Sequence, residues 1–337
     1  MKRIAVDLAK SVYQVAESVR SGQVVQRKRL NREAFRRYIQ EQTESVEWVM
    51  EACGTAHYWG RLAQSLGHRV KLLHPRYVRP YRRRNKTDRN DCDAMLEAER
   101  CTDIHPVPVK SHDQQQLQQL HGLRETWKKS RTQRINLLRG VLREAGIEAP
   151  TSTVAFLQAV GELVEQPEVA PLSRLLHIVL AEINLYEECM AECEQQIKRW
   201  HADDDIVRKL DEVSGIGLLT ASALTAAVGK PERFANGRQL SAWLGMTPRE
   251  FSSGDRRKLG HISRQGNVYV RTLLIHGSRA ALLAAQRCQS RTPEKLTQLQ
   301  RWAVARIGHN KAAVALANKL VRICWAVWCH ERRFNGN

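Results

Sequence analysis

The spacing of hydrophobic residues changes period several times along the N-terminal third of the chain. RIAVDLA (3–9) is a short apolar run that predicts a buried strand, and YQVAESV (13–19) predicts a second, joined to it by a turn through LAKS. RLNREAFRRYIQEQTES (29–45) spaces its apolar residues as a helix does, and VEWVMEA (46–52) returns to strand composition. GTAHYWGRLAQSLG (54–67) has a helical pattern with Gly67 near its end, and HRVKLLHP (68–75) is a further strand stopping before Pro75. A helix starting near Thr87 or Asp88 follows, and the Pro-rich CTDIHPVPV (101–109) reads as extended. The order strand, strand, helix, strand, helix, strand predicts an α/β domain over 1–107.

Longer periods take over beyond this point. Between 113 and 146, Leu117, Leu120, Leu123, Trp127, Ile135, Leu138 and Leu142 recur among polar side chains, predicting a long helix with partial heptad character that stops near Gly146. A second long amphipathic helix is predicted from Ser173, and a short insertion around 152–170 turns the chain back. The segment 108–204 is therefore expected to form an antiparallel helical arm, which also offers a dimer surface. The remainder, 205–337, reads as a mostly α-helical C-terminal domain with small-residue helix faces. Its last apolar run is interrupted by charges and is not expected to span a membrane, and no secretory leader is evident. The chain therefore reads as soluble and cytoplasmic.

Charge then narrows the partner. Of 337 residues, 54 are Lys or Arg and 35 Asp or Glu, a formal net charge of +19, which favours a polyanion through long-range attraction and counterion release. Much of it is concentrated at Arg76, Arg79, Arg82, Arg83, Arg84, Lys86 and Arg89, in a stretch that begins with Arg69 and Lys71 and includes Tyr77 and Tyr81. Arginine forks bind phosphates and tyrosines can stack on unpaired bases. The eight cysteines contain no CxxC pair, so ordinary thiols are expected rather than a zinc site.

Four carboxylates stand out against this background. Asp7 lies where the first strand gives way to a turn, Glu51 follows VEWVM, and Asp88 and Asp91 share one face of the next helix. Converging at one sheet edge, they would form an oxygen-only site of the kind Mg²⁺ takes at a phosphodiester. Asp93 and Glu97 are nearby alternatives, with Asp93 on a different helix face. Farther on, VSGIGLLTASAL (213–224) resembles a helix-hairpin-helix turn in which the backbone at Gly215 and Gly217 can approach a phosphate, or simply joins packed helices. EFSSGDRRKLGHISRQGN (250–267) combines two candidate nucleophiles, Ser252 and Ser253, with Arg256, Arg257, Lys258 and Arg264. A serine here needs a base or metal to become a nucleophile, and turn hydroxyls are the plainer reading.

In order, VDLAKS, MEACGTAHYW, NKTDRNDCDAMLEA, GIGLLTA, FANGRQLSAWLGMTPREFSSGDRRKLGHISRQGN and RTLLIHGSRA make the chain resemble the bridge-RNA-guided insertion-sequence transposases, over about 1–330. That resemblance implies a RuvC-like (RNase-H-like) DEDD domain, a coiled-coil arm and a serine-containing helical domain. It places the catalytic, metal-holding carboxylates on Asp7, Glu51, Asp88 and Asp91 and the nucleophile on Ser253, with Ser252 one position away. It further implies Mg²⁺, donor and target DNA, a structured bridge RNA as guide, dimers assembling into a tetramer with composite sites, and work at the nucleoid. Two competing readings are a Mg²⁺-dependent junction endonuclease that uses water, and a noncatalytic nucleic-acid scaffold.

Overall fold

The computed structural model describes residues 1–20, 23–82, 88–306 and 308–334, with the backbone alone at Arg20 and Asp88. The chain divides into two compact units, Met1–Asp113 and Gln114–Asn337.

The first unit is built on a five-stranded sheet: β1 (Arg3–Leu8), β2 (Val12–Arg20), β3 (Gln23–Asn31), β4 (Glu47–Glu51) and β5 (Arg69–Leu73), in the order β3-β2-β1-β4-β5. The β1–β2 and β2–β3 pairs are antiparallel, whereas β1–β4 and β4–β5 are parallel. Parallel neighbours need crossovers, supplied here by α1 (Arg32–Gln40) and α2 (Ala56–Ser65). On one sheet face Ile4, Val6, Trp48 and Met50 pack with Phe35 and Ile39 of α1 and Trp59 of α2. Tyr13 and Phe35 stack there at 4.9 Å, and Trp59 meets Phe35 edge-on at 4.8 Å. The other face packs Ala5 and Val49 against Val78 of α3 (Pro75–Val78) and Cys92 and Met95 of α4 (Asp88–Ala98).

One expectation needs correction. Residues 29–31, anticipated as helix, are the end of β3, and α1 starts only after Asn31, whose side chain accepts a hydrogen bond from Ala34 N at 2.8 Å. QVVQRKRLN hides its strand character because β3 is an edge strand that, among the described residues, pairs only with β2. Charged residues are tolerated there and discourage pairing with another chain.

In the second unit α5 (His112–Glu144) and α7 (Ser173–Asp203) are the two long helices, and α6 (Thr153–Leu163) lies between them in sequence. They run antiparallel. Arg124 bonds Glu194 at 2.6 Å, Arg131 bonds Glu187 at 2.7 Å, and Arg134 bonds Glu182, so rising numbers on one helix meet falling numbers on the other. Ile135, Leu138 and Leu142 close the far end with Phe156, Leu176 and Ile183.

The rest of the unit comprises α8 (Asp205–Asp211), α9 (Leu218–Val228), α10 (Gly237–Trp243), a hairpin of β6 (Pro248–Glu250) and β7 (Leu259–Ile262), α11 (Val268–Arg291), α12 (Gln298–Val304) and α13 (His309–His330). These helices share one core through Leu210, Leu224, Leu274, Leu316 and Leu320. The expected boundary at 204/205 falls inside this unit. Two helical stretches, Pro167–Asp203 and His309–His330, are long and apolar enough to cross a membrane by length and composition. In α13, however, Ala313, Leu316, Leu320 and Cys324 are buried against the other helices, as in a core helix.

Candidate active site

Strand alternation orients the first two carboxylates. Successive side chains point to opposite faces of a sheet. Because Ala5 and Val49 lie on the α4 face while Val6 and Met50 lie on the other, Asp7 and Glu51 both fall on the α4 face. The parallel register Val6↔Met50 brings the two positions side by side where β1 and β4 end. Cys53 reports the result: partial burial raises its thiol above the ordinary range, and the charges of both Glu51 and Asp7 add to the rise. Two carboxylates from strands far apart in sequence are thus set at neighbouring positions on one sheet face.

The α4 helix covers the same face. Its Cys92 thiol is pushed up to about 12 by burial, with the Asp7 carboxylate adding to the effect, and its Sγ lies 3.3 Å from Gln14 O of β2. Asp91, one residue before Cys92, is 7% exposed and ion-paired with Arg82. Helical spacing puts Asp88 one turn ahead of Asp91 on the same side; its side chain lies outside the described residues. Asp93 is bonded instead by Arg27 of β3 at 2.7 Å, and Glu97 by Arg100 at 3.0 Å, which ties both alternatives elsewhere. All four candidate donors are carboxylates, the oxygen chemistry suited to a hard divalent cation. Among the described residues, no group of three or more His, Cys, Asp or Glu side chains is gathered closely enough to hold a metal. Asp7 and Glu51 are therefore brought together, while Asp91 is held by an arginine.

The basic stretch beside the carboxylates is not uniform. Arg76, Arg79 and Arg89 are exposed, as is Tyr77. Arg82 is occupied with Asp91, and Lys71 bridges Glu47 at 3.2 Å and Glu99 at 2.5 Å. Arg83, Arg84 and Lys86 lie outside the described residues.

The two serines differ sharply at the hairpin. Ser252 donates its hydroxyl to Glu250 Oε1 at 2.6 Å and accepts from Lys258 N at 3.3 Å. That serine bond, together with Arg257 3.3 Å away, holds the Glu250 carboxyl below its ordinary range. Ser253 sits in the turn, its N–H donating to Arg256 O at 3.3 Å and its carbonyl accepting from Arg256 N at 3.1 Å. Its Oγ has no hydrogen bond among the described residues. Arg256, Arg257, Lys258 and Arg264 are all exposed around this hairpin.

Residues at the hairpin base escaped the sequence reading. Gly245 and Gly266 have φ of +73° and +80°, and a Cβ on either would lie 2.1 Å from Gln265 O or 2.0 Å from Trp243 O. Only glycine fits both the backbone angle and the space. Arg271, 7% exposed, donates to Leu244 O at 3.0 Å and Gln265 O at 2.9 Å, tying the two chain ends of the hairpin to α11. The glycines bracketing LGMTP and SRQGN were the available signal.

The glycine turn behaves in two ways. Gly215 meets α11, where a Cβ on Gly277 would lie 2.0 Å from Gly215 O, so this glycine serves helix packing. Gly217 is exposed, with open space around its α-carbon, just before α9.

Two family models match separate parts of the chain, the N-terminal one extending past Asp113 into the second unit. Residues 207–294 match a family model described as "Transposase IS116/IS110/IS902 family", and residues 4–147 match a DEDD transposase model of the IS110 type. The chain is 39% identical to a "Probable family 20 transposase" of Pseudomonas aeruginosa, over 98% of each chain. It is 34% identical to the "Transposase for insertion sequence element IS1111A" of Coxiella burnetii, covering 99% of this chain and 91% of that one. The "Transposase for insertion sequence element IS1328" of Yersinia enterocolitica is 31% identical over 96% of each.

Proposed function

We propose, from the premise that this chain belongs to the IS116/IS110/IS902 family of insertion-sequence transposases, that it cuts, exchanges and rejoins DNA strands through a phosphoserine intermediate under the guidance of a structured RNA. The observation that carries the reading is the meeting of Asp7 and Glu51 at adjacent strand ends, on the face covered by the helix of Asp88 and Asp91. The unengaged Oγ of Ser253 at an exposed basic turn supports the second half of it.

In this reading Ser253 Oγ attacks a DNA phosphorus. The Oγ–P bond forms, the P–O bond to one strand breaks, the leaving oxygen departs with the electron pair, and the serine proton passes to solvent. Religation is the reverse, with a strand hydroxyl displacing the serine, so no external energy source is needed. Arg256, Arg257 and Lys258 surround the phosphate with positive charge. Asp7, Glu51, Asp88 and Asp91 would hold Mg²⁺, which when bound supplies charge neutralisation at the phosphate and leaving oxygen. For Asp91 to join them, its pairing with Arg82 must open, which frees Arg82 for a phosphate. Arg76, Arg79 and Arg89 contact the nucleic-acid backbone. Homo-oligomerisation, as dimers pairing into a tetramer, brings the carboxylate unit of one copy to the serine unit of another.

The test incubates the protein with Mg²⁺, the element's flanking noncoding RNA and matched DNA, and maps any DNA–protein adduct by peptide mass spectrometry. The adduct is expected on Ser253 and lost in Ser253→Ala. Retention of the adduct in that variant would overturn the serine assignment, products without any adduct would favour hydrolysis, and full recombination without RNA would remove the guide.

A further inference from the structure

A cavity of about 850 Å³ opens in the second unit between α11 and α13 and reaches the base of the β6–β7 hairpin at Pro248 and Ile262. Helical periodicity builds its walls. On α11, Arg271, Ile275 and Arg279 are four residues apart, and on α13, Lys311, Ala315, Lys319 and Arg322 follow at three- and four-residue steps, so each set lines one helix face. Arg264 from the hairpin and Arg306 from the turn after α12 complete the ring of cations. Trp302 holds two of them in place, with Arg306 at 4.2 Å and Lys319 at 4.5 Å from its ring centroid. Ile262, Ile275 and Val314 add apolar surface to the lining, and among the cations Arg271 is buried with its guanidinium bonded to Leu244 O and Gln265 O.

The charge around this cavity is uncompensated. No acidic residue lines it, and none of its lysines or arginines forms an ion pair with a carboxylate among the described residues. From Arg256 to His330 the sole acidic residue in the sequence is Glu294. Arg279 donates one guanidinium N–H to Asn310 Oδ1 at 3.0 Å, while its buried Nε has no partner among the described residues. Keeping so many cations close together without counter-charge is unfavourable unless an anion completes the site. A concave site lined by both cations and apolar side chains suits a strand whose bases are unpaired: phosphates meet the cations and a base covers the apolar surface. A duplex buries its base faces and has no use for that apolar surface.

We propose that this groove binds an unpaired segment of a DNA strand and leads it to the serine turn. Ser253 lies five residues beyond Pro248, within about 17 Å along an extended chain, so a strand seated in the groove continues onto the hairpin. The choice of DNA over RNA rests on the reading of Ser253 as the DNA-reactive residue; the groove itself does not.

The test measures binding of the full-length protein to a short fluorescein-labelled single-stranded DNA of mixed sequence, by anisotropy over a range of salt, without guide RNA or Mg²⁺. Lys311→Ala with Arg322→Ala, both at exposed positions, is expected to weaken binding about tenfold. It should also reduce the slope of log K against log salt by about 1.4, since each lost phosphate contact on a single strand contributes about 0.7. Lys128→Ala with Lys129→Ala on α5 serves as the charge-matched control and should leave the slope unchanged. Binding by both variants is compared at equal thermal stability. Independently, single-stranded DNA carrying 4-thiothymidine should photocrosslink to peptides of α11 and α13.

An unchanged slope in the groove variant, an equal loss for blunt duplex, a larger loss for RNA of the same sequence, or crosslinks confined to other segments would each overturn the proposal. A groove that binds while no serine adduct forms would count against the chemistry and leave the groove standing. The converse result would do the opposite.

Discussion

The long helices α5 and α7 and the groove between α11 and α13 belong to one compact unit, and both are rich in arginine. Their electrostatics are nevertheless opposite. Arg124, Arg131 and Arg134 each meet a glutamate on the facing helix, whereas the cations of the groove meet none among the described residues. Net charge read from composition adds these two kinds of arginine together. Only after the paired ones are set aside does the remainder show where a polyanion fits. The same subtraction applies beside the carboxylates, where Lys71 and Arg82 are engaged internally while Arg76, Arg79 and Arg89 are exposed.

The largest effect expected from probing this contrast concerns how the α5 side is seated without free charge. His121 on α5 is 2% exposed, with Nδ1 3.1 Å from Tyr269 Oη and Nε2 3.1 Å from Ser222 Oγ. Burial lowers its pKa to about 4, and nearby Arg124 adds to the shift. The unfolded chain takes up this proton near pH 6.5 and the folded chain only near 4, so stability is highest above 6.5 and falls as pH drops between those values. The loss amounts to about 3 kcal/mol. Urea unfolding across that window should show it, and His121→Gln should flatten the profile. An unaltered profile in the variant would mean that another group carries the acid sensitivity.

A smaller loss is expected where α11 is fixed in place. Gly277→Ala sets a methyl group against Gly215 O, and overpacking of this kind costs about 2 kcal/mol. The comparison is sharpened if single-strand affinity falls along with stability, because the groove face is carried by the same helix. The smallest effect belongs to the paired arginines. Arg131→Ala should cost less than about 1 kcal/mol, as for partly exposed ion pairs generally, and should leave the salt dependence of DNA binding unaltered. A reduced salt slope in that variant would erase the distinction between the two regions.

Much of the first unit was legible from period alone, because β1, β4 and β5 are short apolar runs and α2 and α4 carry helical spacing. β3 was not, since an edge strand paired on one side needs no apolar alternation and QVVQRKRLN has little. At the site, residue types pointed to Asp7 and Glu51, but the reason they meet is a parallel register that no local pattern encodes. Ser252 and Ser253 were indistinguishable by spacing; their hydrogen bonding differs, with Ser252 bonded to Glu250, a contact that spacing does not encode. The groove left a trace in the nearly carboxylate-free stretch after Arg256. Its existence depends on two helix faces meeting across the core, which is a tertiary fact.

The contact between Gly215 and Gly277 works as a key in a slot. With no room for a single added carbon, the turn before α9 admits α11 at one residue only. Sliding the helix by one position would rotate it by about 100°, parting Arg279 from Asn310 of α13 and Arg271 from Leu244 O and Gln265 O. Two missing side chains thus set the compass bearing of the surface charge.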